Sequence, residues 1–317
     1  MVPGAHEGKG LGSQFLDDLN QADALIHIID ISGSTNALGE AVEPLSYDPL
    51  NDVEFLEHEL DMWYLRILKK GWNKFARAVK GEHGKLSNAI AKQMSGVRVD
   101  EELAEDIMNK MNLNEDLLKW TDDDLFRIAS ELRRLTKPII IAANKADIPG
   151  SNNNLKRLIE KFPSYKIMAC SAESELALKE AAKKGLIKYI PGESEFETMS
   201  NELNENQKNA LDFIKKNILN NYKSTGVQDV LDYAVFNLLE YIAIFPGGVN
   251  KLVDKDGNVL PDCFLLPGKS TALDFAFRIH TDIGNKFVRA IDVKKKIAVG
   301  KDYVLKNRDV IEIKTSN

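Results

Sequence analysis

Two short polar segments each follow an apolar segment with the pattern of a buried strand. The first, Asn144–Asp147, follows Lys137–Ala143, and the second, Ser171–Glu173, follows Tyr165–Ala169. Ligands of open parallel sheets bind just beyond the carboxyl ends of the strands, so we expect both segments to face one crevice. The candidate binding residues are Asn144, Lys145, Asp147, Ser171, Ala172 and Glu173.

These residue types can recognise a guanine base. The two carboxylate oxygens of Asp147 can accept hydrogen bonds from guanine N1–H and N2–H₂ together, whereas adenine presents an acceptor at N1. Asn144 can brace the two segments against each other, and the aliphatic stem of Lys145 can cover the face of the base. The backbone N–H of Ala172 is then free to donate to guanine O6. The alternative explanation is an Asx-rich turn at the end of a strand.

The elements that must position these residues alternate between strand and helix. Ala24–Asp30 is apolar at nearly every position, which predicts a parallel strand buried on both faces. Lys137–Ala143 and Tyr165–Ala169 predict two more strands, and Ser151 the cap of the helix between them. The other helices predicted around these strands cover 15–22, 174–184, 204–221 and 226–241.

Two further regions do not show this alternation of strand and helix patterns. Residues 40–136 contain only helical patterns, with Asn51 and Thr121 as predicted N-caps and all three tryptophans as predicted core residues. From Ile242 onward, short strands and Gly or Pro turns surround one helix, Thr271–His280, which predicts a small α+β domain.

Composition excludes several classes of protein. The chain has 317 residues, of which 44% are hydrophobic and 28% charged, and it contains no apolar run long enough to span a bilayer. Its first twenty residues are Gly-rich and polar, unlike a signal peptide, so we expect a cytoplasmic protein without a membrane partner. Cys170 and Cys263 lie far apart, and the five histidines show no metal-ligand spacing. No disulfide, metal site or catalytic residue is predicted.

The net charge of −6 argues against a general nucleic-acid binder, and no DNA partner is expected. Residues 251–317 nevertheless carry 13 Lys and Arg against 9 Asp and Glu. This excess indicates either an RNA or ribosome contact or an ordinary solvated surface. Within it, Lys294–Lys296 and Arg289 are a candidate RNA contact, with a solvated hairpin turn as the alternative.

The chain resembles the archaeal branch of the YchF subfamily of Obg GTPases over nearly its whole length. The resemblance rests on the two polar segments above, on Val2–Leu16, on the helical insertion after Asp30, and on Gly226-Val-Gln. Leu265–His280 and Asp309–Ile313 resemble a TGS domain.

The resemblance implies an α/β fold: a parallel sheet of the P-loop NTPase type with a helical insertion, followed by a β-grasp, ubiquitin-like TGS domain. We expect the G domain at 1–39 and 137–241, the insertion at 40–136 and the TGS domain at 242–317. Asn144, Lys145 and Asp147 would form the base-specificity motif, completed by Ser171, Ala172 and Glu173. Some relatives with Glu at the position of Asp147 are associated with ATP, so Asp147 favours GTP or GDP.

One departure from the family is large. Its phosphate loop, with the lysine and the Mg²⁺-ligating Ser or Thr, should precede Met1, and so should the Asp of its Asp-x-x-Gly motif. Gly8, Gly10 and Gly12 lack the Gly-Lys-Ser/Thr ending, and we interpret Val2–Gly12 as the mobile switch segment. We expect an N-terminal truncation or a wrongly assigned start codon, and little or no hydrolysis by this chain. Mg²⁺ is expected only with the absent segment.

Two functions remain open from the sequence. One is a nucleotide switch whose TGS domain and insertion contact the ribosome or tRNA, and in which attack of water on the γ-phosphate of GTP resets the switch. The other is a non-hydrolysing RNA- or protein-binding scaffold derived from such a GTPase. An intact base motif around Asp147 favours the switch, because a scaffold does not need it.

Overall fold

The computed structural model describes residues 18–82, 85–111, 113, 117–199, 203–248, 252–253, 257–260 and 262–316. The chain forms two compact units, Met1–Leu231 and Asp232–Asn317. In the described ranges, no helix is both long and apolar enough to cross a membrane. The predicted switch segment Val2–Gly12 and the first three residues of the predicted helix 15–22 lie outside the described residues. The three predicted domain boundaries stay predictions.

The first unit is built on a parallel sheet of three strands. They are β1 (Leu25–Asp30), β2 (Ile139–Asn144) and β3 (Lys166–Ala169), in the order β1-β2-β3. The register pairs Asp30 with Asn144 and Ala143 with Ala169. The carboxyl ends of all three strands are therefore aligned, and the loops that follow them share one edge of the sheet, as predicted.

The prediction that β1 is buried on both faces is wrong for the described structure. Leu25 and Ile29 are buried, but Ile26 is 38% and Ile28 66% exposed. The reason is position, because β1 pairs with β2 alone among the described strands and is an edge strand. An apolar pattern in the sequence indicates which side chains tend to be buried, but it does not indicate which neighbouring strands or helices cover them.

Five α-helices are present in the described residues of the insertion between β1 and β2. They are α1 (Leu50–Lys69), α2 (Trp72–Glu82), α3 (Leu86–Met94), α4 (Glu101–Met111) and α5 (Asp122–Thr136). Their core contains all three tryptophans, at most 8% exposed, as predicted. The predicted cap at Thr121 is confirmed, since Thr121 and Asp124 form a reciprocal capping box. The predicted cap at Asn51 is wrong, because α1 begins at Leu50 with Pro49 before it and no side-chain cap.

The rest of the first unit surrounds β3. Helix α6 (Ser151–Lys161) precedes β3, and α7 (Ala172–Lys183) follows it. Next come a short hairpin of β4 (Ile187–Lys188) and β5 (Glu197–Thr198), then α8 (Glu205–Ile214), which continues as a π-helix to Leu219 and through Asn220–Tyr222, and α9 (Val227–Asp232).

Two predictions in this part need correction. Ser151 is not the cap of α6 but its first residue; Gly150 occupies the cap position at φ 88°, and the Ser151 hydroxyl donates to the carbonyl of Ala146. The predicted helix 226–241 ends earlier, because a π-helix over Tyr233–Leu238 follows α9 and a strand begins at Tyr241.

The second unit is a mixed five-stranded sheet covered by helices. Strands β6 (Tyr241–Pro246), β7 (Phe264–Pro267), β8 (Phe287–Asp292), β9 (Ile297–Val299) and β10 (Val310–Thr315) lie in the order β7-β6-β10-β8-β9. Helix α10 (Ala272–Ile279) packs Phe275 into the sheet core and is followed by α11 (Thr281–Asn285). The predicted small α+β domain is confirmed.

Two of the three lysines proposed from sequence as an RNA contact are used inside this unit. Lys295 donates to the buried carboxylate of Asp292 at 2.7 Å and to the hydroxyl of Tyr303 at 2.5 Å. Lys294 donates to the carbonyl of Arg308 at 2.6 Å. These bonds fix the hairpin between β8 and β9, so the structure favours the hairpin-turn explanation of the lysine run.

Candidate functional site

The loops after β2 and β3 are cross-linked by two side chains of the predicted motif. The Ser171 hydroxyl donates to Asp147 Oδ1 at 2.7 Å, and Asn144 Oδ1 accepts from the backbone N–H of Ala172 at 3.0 Å. Backbone bonds reinforce them, since Cys170 donates to the Ala143 carbonyl and Ala146 to the Cys170 carbonyl. Four of the six predicted residues are thus brought into one cluster at the edge of the sheet.

The hydrogen bond from Ser171 orients the Asp147 carboxylate and leaves it able to accept further hydrogen bonds. Each carboxylate oxygen has two lone pairs, so Oδ1 retains one and Oδ2 remains an acceptor for a ligand. Ser171 is fully buried and caps α7, accepting from the N–H of Ser174, so its own orientation is fixed by the helix. A carboxylate held in a fixed orientation is suited to two parallel N–H donors.

One expectation for these residues is wrong, and one residue lies apart from the cluster. The Ala172 N–H is not free, because it is engaged by Asn144; an exposed backbone donor beside an amide oxygen forms the bond available to it. Glu173 is exposed in the first turn of α7, and within the described residues its carboxylate makes no hydrogen bond to the rest of the cluster. A negatively charged side chain in the first turn of a helix interacts favourably with the helix dipole.

Lys145 is held by a polar cluster at the end of β1. Its ammonium donates to Asp30 Oδ2 at 2.8 Å, to the Ser34 hydroxyl at 2.9 Å and to the Thr35 hydroxyl at 3.3 Å. The backbone of Lys145 is left-handed, at φ 63°, a conformation that costs a non-glycine residue on the order of 1 kcal/mol. The side-chain bonds offset that cost and fix the turn.

Asp30 is the acceptor around which this cluster is arranged. Its Oδ1 accepts from the backbone N–H of Ser32 at 3.0 Å and from the Ser32 hydroxyl at 2.5 Å. Burial by itself would raise the pKa of Asp30, but the hydrogen bonds from Lys145, Ser32, Thr35 and Ser34 outweigh burial and lower the pKa to about 2. Asp30 is therefore a carboxylate at neutral pH, and the Lys145–Asp30 contact is an ion pair.

Sequence reasoning missed Asp30, Ser32 and Ser34. A usable signal was present, because Asp30–Thr35 is a polar run directly after an apolar strand, the same pattern that identified the other two loops.

A third segment, Thr225–Gly226, contacts the loop after β3 and holds it in position. The backbone carbonyl of Thr225 accepts from the N–H of Ser171 at 2.9 Å, and the Thr225 hydroxyl donates to Glu175 Oε2 at 2.7 Å. Glu175 is 6% exposed and also accepts from Tyr189. Gly226, at φ 79°, passes so close that a Cβ there would lie 1.9 Å from the carbonyl oxygen of Ala169. The loop position therefore depends on glycine at 226.

The described residues do not form a metal site. Among them, no group of three or more His, Cys, Asp or Glu side chains has the geometry to hold an ion. Of the two carboxylates at this edge of the sheet, Asp30 is paired with Lys145 and Asp147 accepts from Ser171. The described residues therefore supply no ligand set of their own for the Mg²⁺ that a phosphate group would bring.

Family comparisons match both units. Residues 142–248 match the family described as "Obg-like GTPase YGR210-like, G4 motif-containing domain", and residues 251–315 match the TGS domain. The chain is 48% identical over 316 residues to an uncharacterized GTP-binding protein of Methanocaldococcus jannaschii, covering 99% of this chain and 78% of that protein. This chain belongs to the YchF-type, Obg-like GTP-binding proteins that carry a TGS domain.

Two further relatives match most of the chain, one in structure and one in sequence. The crystal structure of a GTP-binding protein from Pyrococcus horikoshii superposes with a TM-score of 0.70 at 43% identity, covering 95% of this chain and 81% of that one. A more distant relative, the ribosome-binding ATPase YchF of Buchnera aphidicola, is 25% identical over 297 residues, 93% of this chain and 68% of that protein.

Proposed function

We propose that Asn144, Lys145, Asp147, Ser171, Ala172 and Glu173 form the pocket that recognises the base of GTP and GDP. The observation that carries the proposal is the hydrogen bond from Ser171 to Asp147, because it joins the two loops and fixes the orientation of the carboxylate. Guanine offers N1–H and N2–H₂ side by side to that carboxylate, and adenine does not. The proposal therefore predicts selection of guanine over adenine nucleotides.

The remaining residues have supporting roles in this pocket. Asn144 and the Ala172 N–H hold each other before binding, and guanine O6 replaces Asn144 as the partner of that N–H. Asp30 fixes the ammonium of Lys145 and leaves its aliphatic stem available to cover the base. Glu173 contributes charge at the start of α7 and makes no direct contact with the base.

We further propose that the protein is a cytoplasmic nucleotide switch that contacts the ribosome or tRNA, and that GTP hydrolysis to GDP and phosphate resets it. Support comes from the TGS domain and from the name of the Buchnera relative, which describes ribosome binding for that protein. None of the six residues is assigned to hydrolysis or to Mg²⁺, because they serve the base end of the nucleotide. Mg²⁺ accompanies the phosphates.

Equilibrium titration with fluorescent GDP, GTP and ATP in Mg²⁺ tests the base pocket. Asp147→Asn should weaken guanine-nucleotide binding by about 10- to 100-fold, the cost of a charged hydrogen-bond pair. The same change should improve binding of xanthine nucleotides, because an amide can donate to the C2 carbonyl of xanthine and still accept from N1–H. Equal binding of GTP and ATP by the unmodified protein would contradict the proposal.

The alternative of a non-hydrolysing scaffold makes a different prediction. A scaffold should co-sediment with ribosomes to the same extent with GTP, with GDP or without nucleotide. The proposed switch should co-sediment more strongly in one nucleotide state, and the Asp147→Asn variant should lose that dependence. If co-sedimentation of the unmodified protein and of the Asp147→Asn variant does not depend on the nucleotide, the scaffold is favoured.

A further inference from the structure

The positive charges of the insertion are concentrated in one stretch. Residues 62–98 contain nine Lys and Arg and a single acidic residue, Glu82. The preceding residues, 40–61, contain eight Asp and Glu and no Lys or Arg. A solvated surface usually intersperses both signs, whereas a field of one sign attracts a partner of the opposite sign.

The structure places these cations on the outside of three consecutive helices. Every described Lys and Arg side chain of the stretch is exposed; they are Arg66, Lys69, Lys70, Arg77, Lys85, Lys92 and Arg98. Some are neutralised locally, since Lys69 pairs with Asp122, Lys85 with Glu101 and Arg98 with Asp23. Within the described residues, no such ion pair involves Lys70, Arg77 or Lys92.

A groove runs along this surface between the last turns of α1 and helix α3. It has a volume of about 870 Å³, an aliphatic floor and a cationic rim, and is lined by Met62, Leu65, Arg66, Ile67, Lys69, Lys70 and Gln93. Gln93 holds the two helices together, because its amide donates to the carbonyls of Ile67 at 3.0 Å and Lys70 at 2.8 Å. The cations therefore stand on a fixed scaffold.

The chemistry of this surface favours a nucleic-acid backbone over other partners. Between Leu45 and Leu118, none of the described large apolar side chains is exposed. Insertion into a lipid interface requires such side chains, and protein interfaces are anchored by them. A chain of phosphates needs only cations spaced along a surface.

We propose that the exposed cations of this stretch, Arg66, Lys69, Lys70, Arg77 and Lys92, bind the phosphate backbone of RNA. This inference deepens the ribosome or tRNA contact of the proposed function and assigns that contact to the insertion. It does not depend on the base pocket, which lies in the loops after β2 and β3.

The test replaces cations that form no ion pair within the described part of the chain, so no described carboxylate loses a partner. A K70Q/R77Q/K92Q variant is compared with K179Q/K183Q/K184Q on α7, which removes the same charge from exposed lysines of the same unit. Binding of fluorescein-labelled single-stranded and duplex RNA of mixed sequence is measured by anisotropy at several KCl concentrations. Thermal unfolding of both variants checks that they remain folded.

The first variant should lose about 10- to 100-fold in RNA affinity at low salt, and its salt slope should fall by roughly 2 to 3, at 0.7–0.9 per phosphate contact. The α7 variant should bind like the unmodified protein. Equal RNA binding by both variants overturns the inference. The inference is also overturned if the unmodified protein binds phosphatidylserine vesicles or polyglutamate as strongly as it binds RNA. K70Q/R77Q/K92Q should bind fluorescent GTP as well as the unmodified protein does. If neither protein binds GTP but the difference in RNA affinity persists, the proposed base pocket is wrong and the proposed RNA contact is supported.

Discussion

Lys145 Nζ donates a hydrogen bond of 2.8 Å to Asp30 Oδ2 and so joins two loops that are 115 residues apart in sequence. The two residues follow adjacent parallel strands, and the register that pairs Asp30 with Asn144 brings their side chains within reach. The bond secures a left-handed lysine backbone beside the proposed base pocket. Disrupting Asp30 should therefore affect both stability and nucleotide binding.

Replacing Asp30 with Asn should remove a stability contribution that depends on pH. The pKa of Asp30 is about 2 in the folded protein against an ordinary value of 3.8, so its ionised form stabilises the fold above pH 4. That contribution is lost as pH falls from about 4 towards 2. We expect Asp30→Asn to lower the free energy of unfolding by about 1–2 kcal/mol at pH 7, allowing for the solvent exposure of Lys145.

Urea unfolding at several pH values measures this difference. Asp212→Asn is the control, because Asp212 is exposed on α8 and should change stability little at any pH. A deficit of Asp30→Asn that stays constant from pH 7 down to pH 2 would show that the carboxylate charge is not responsible. Fluorescent GDP titration of the same variant should show weaker binding.

Replacing Gly226 with Ala should move the loop after β3. A Cβ at 226 would lie 1.9 Å from the Ala169 carbonyl oxygen, and the backbone at φ 79° is itself unfavourable for alanine. Gly185→Ala is a matched control, since its φ is 69° and nothing lies within 4 Å of an added Cβ. We expect Gly185→Ala to cost about 1 kcal/mol, and Gly226→Ala more than twice as much.

Thermal unfolding and fluorescent GDP binding of these two glycine variants separate strain from collision. Only Gly226→Ala should weaken nucleotide binding, because only that change displaces Ser171 and Ala172. Similar effects of both variants on binding would mean that left-handed strain alone explains them, and that Gly226 does not position the loop.

Arg133 should be essential to the attachment of the insertion. It is 2% exposed and donates to Asp61 at 2.7 Å, to Glu57 at 3.1 Å and to the hydroxyl of Tyr165 at 3.1 Å. Arg133→Gln would leave Asp61 without its cation in a buried position, at a cost of about 3–5 kcal/mol. Arg134→Gln, which alters an exposed arginine next to it, should change the free energy of unfolding by less than about 0.5 kcal/mol. Chemical denaturation compares the two, and equal stability would contradict the role of the network.

The two cysteines should differ in reactivity. Cys170 is buried, and burial raises its pKa to about 11; Cys263 is exposed, although its pKa is also raised by partial burial. Because the thiolate is the reactive form, a maleimide should label Cys263 in the folded protein and Cys170 only after unfolding. Peptide mass spectrometry of protein labelled at neutral pH measures this, and rapid labelling of Cys170 would show that the loop after β3 opens in solution.

Local patterns in the sequence were sufficient for most elements near the site. The apolar strands before Asn144 and Ser171 gave the parallel arrangement, and the capping pattern at Thr121 located the start of α5. The pattern failed at Asn51 and Ser151 because each is a capping residue type that lies inside its helix, Ser151 at the first position and Asn51 at the second. Residue type alone cannot distinguish these positions from the cap.

Contacts between distant residues could not be predicted in the same way. The bond between Thr225 and Glu175 joins residues 50 apart, and nothing in either local sequence specifies the other. The exposure of Ile28 depends on which strands lie beside β1, and no single segment encodes that. The sequence indicates which residues can react or bind, and the fold determines which of them meet.

In the proposed pocket, the bond between Asn144 Oδ1 and the Ala172 N–H makes base recognition an exchange of partners. When guanine O6 takes that N–H, one existing bond is given up for each one formed there, so the matching base gains little from this contact. A base without an acceptor at that position leaves the N–H bonded to Asn144, so this contact penalises the wrong base little as well. In such a pocket the selectivity arises mainly from Asp147, whose carboxylate meets two donors on guanine but an acceptor at N1 of adenine.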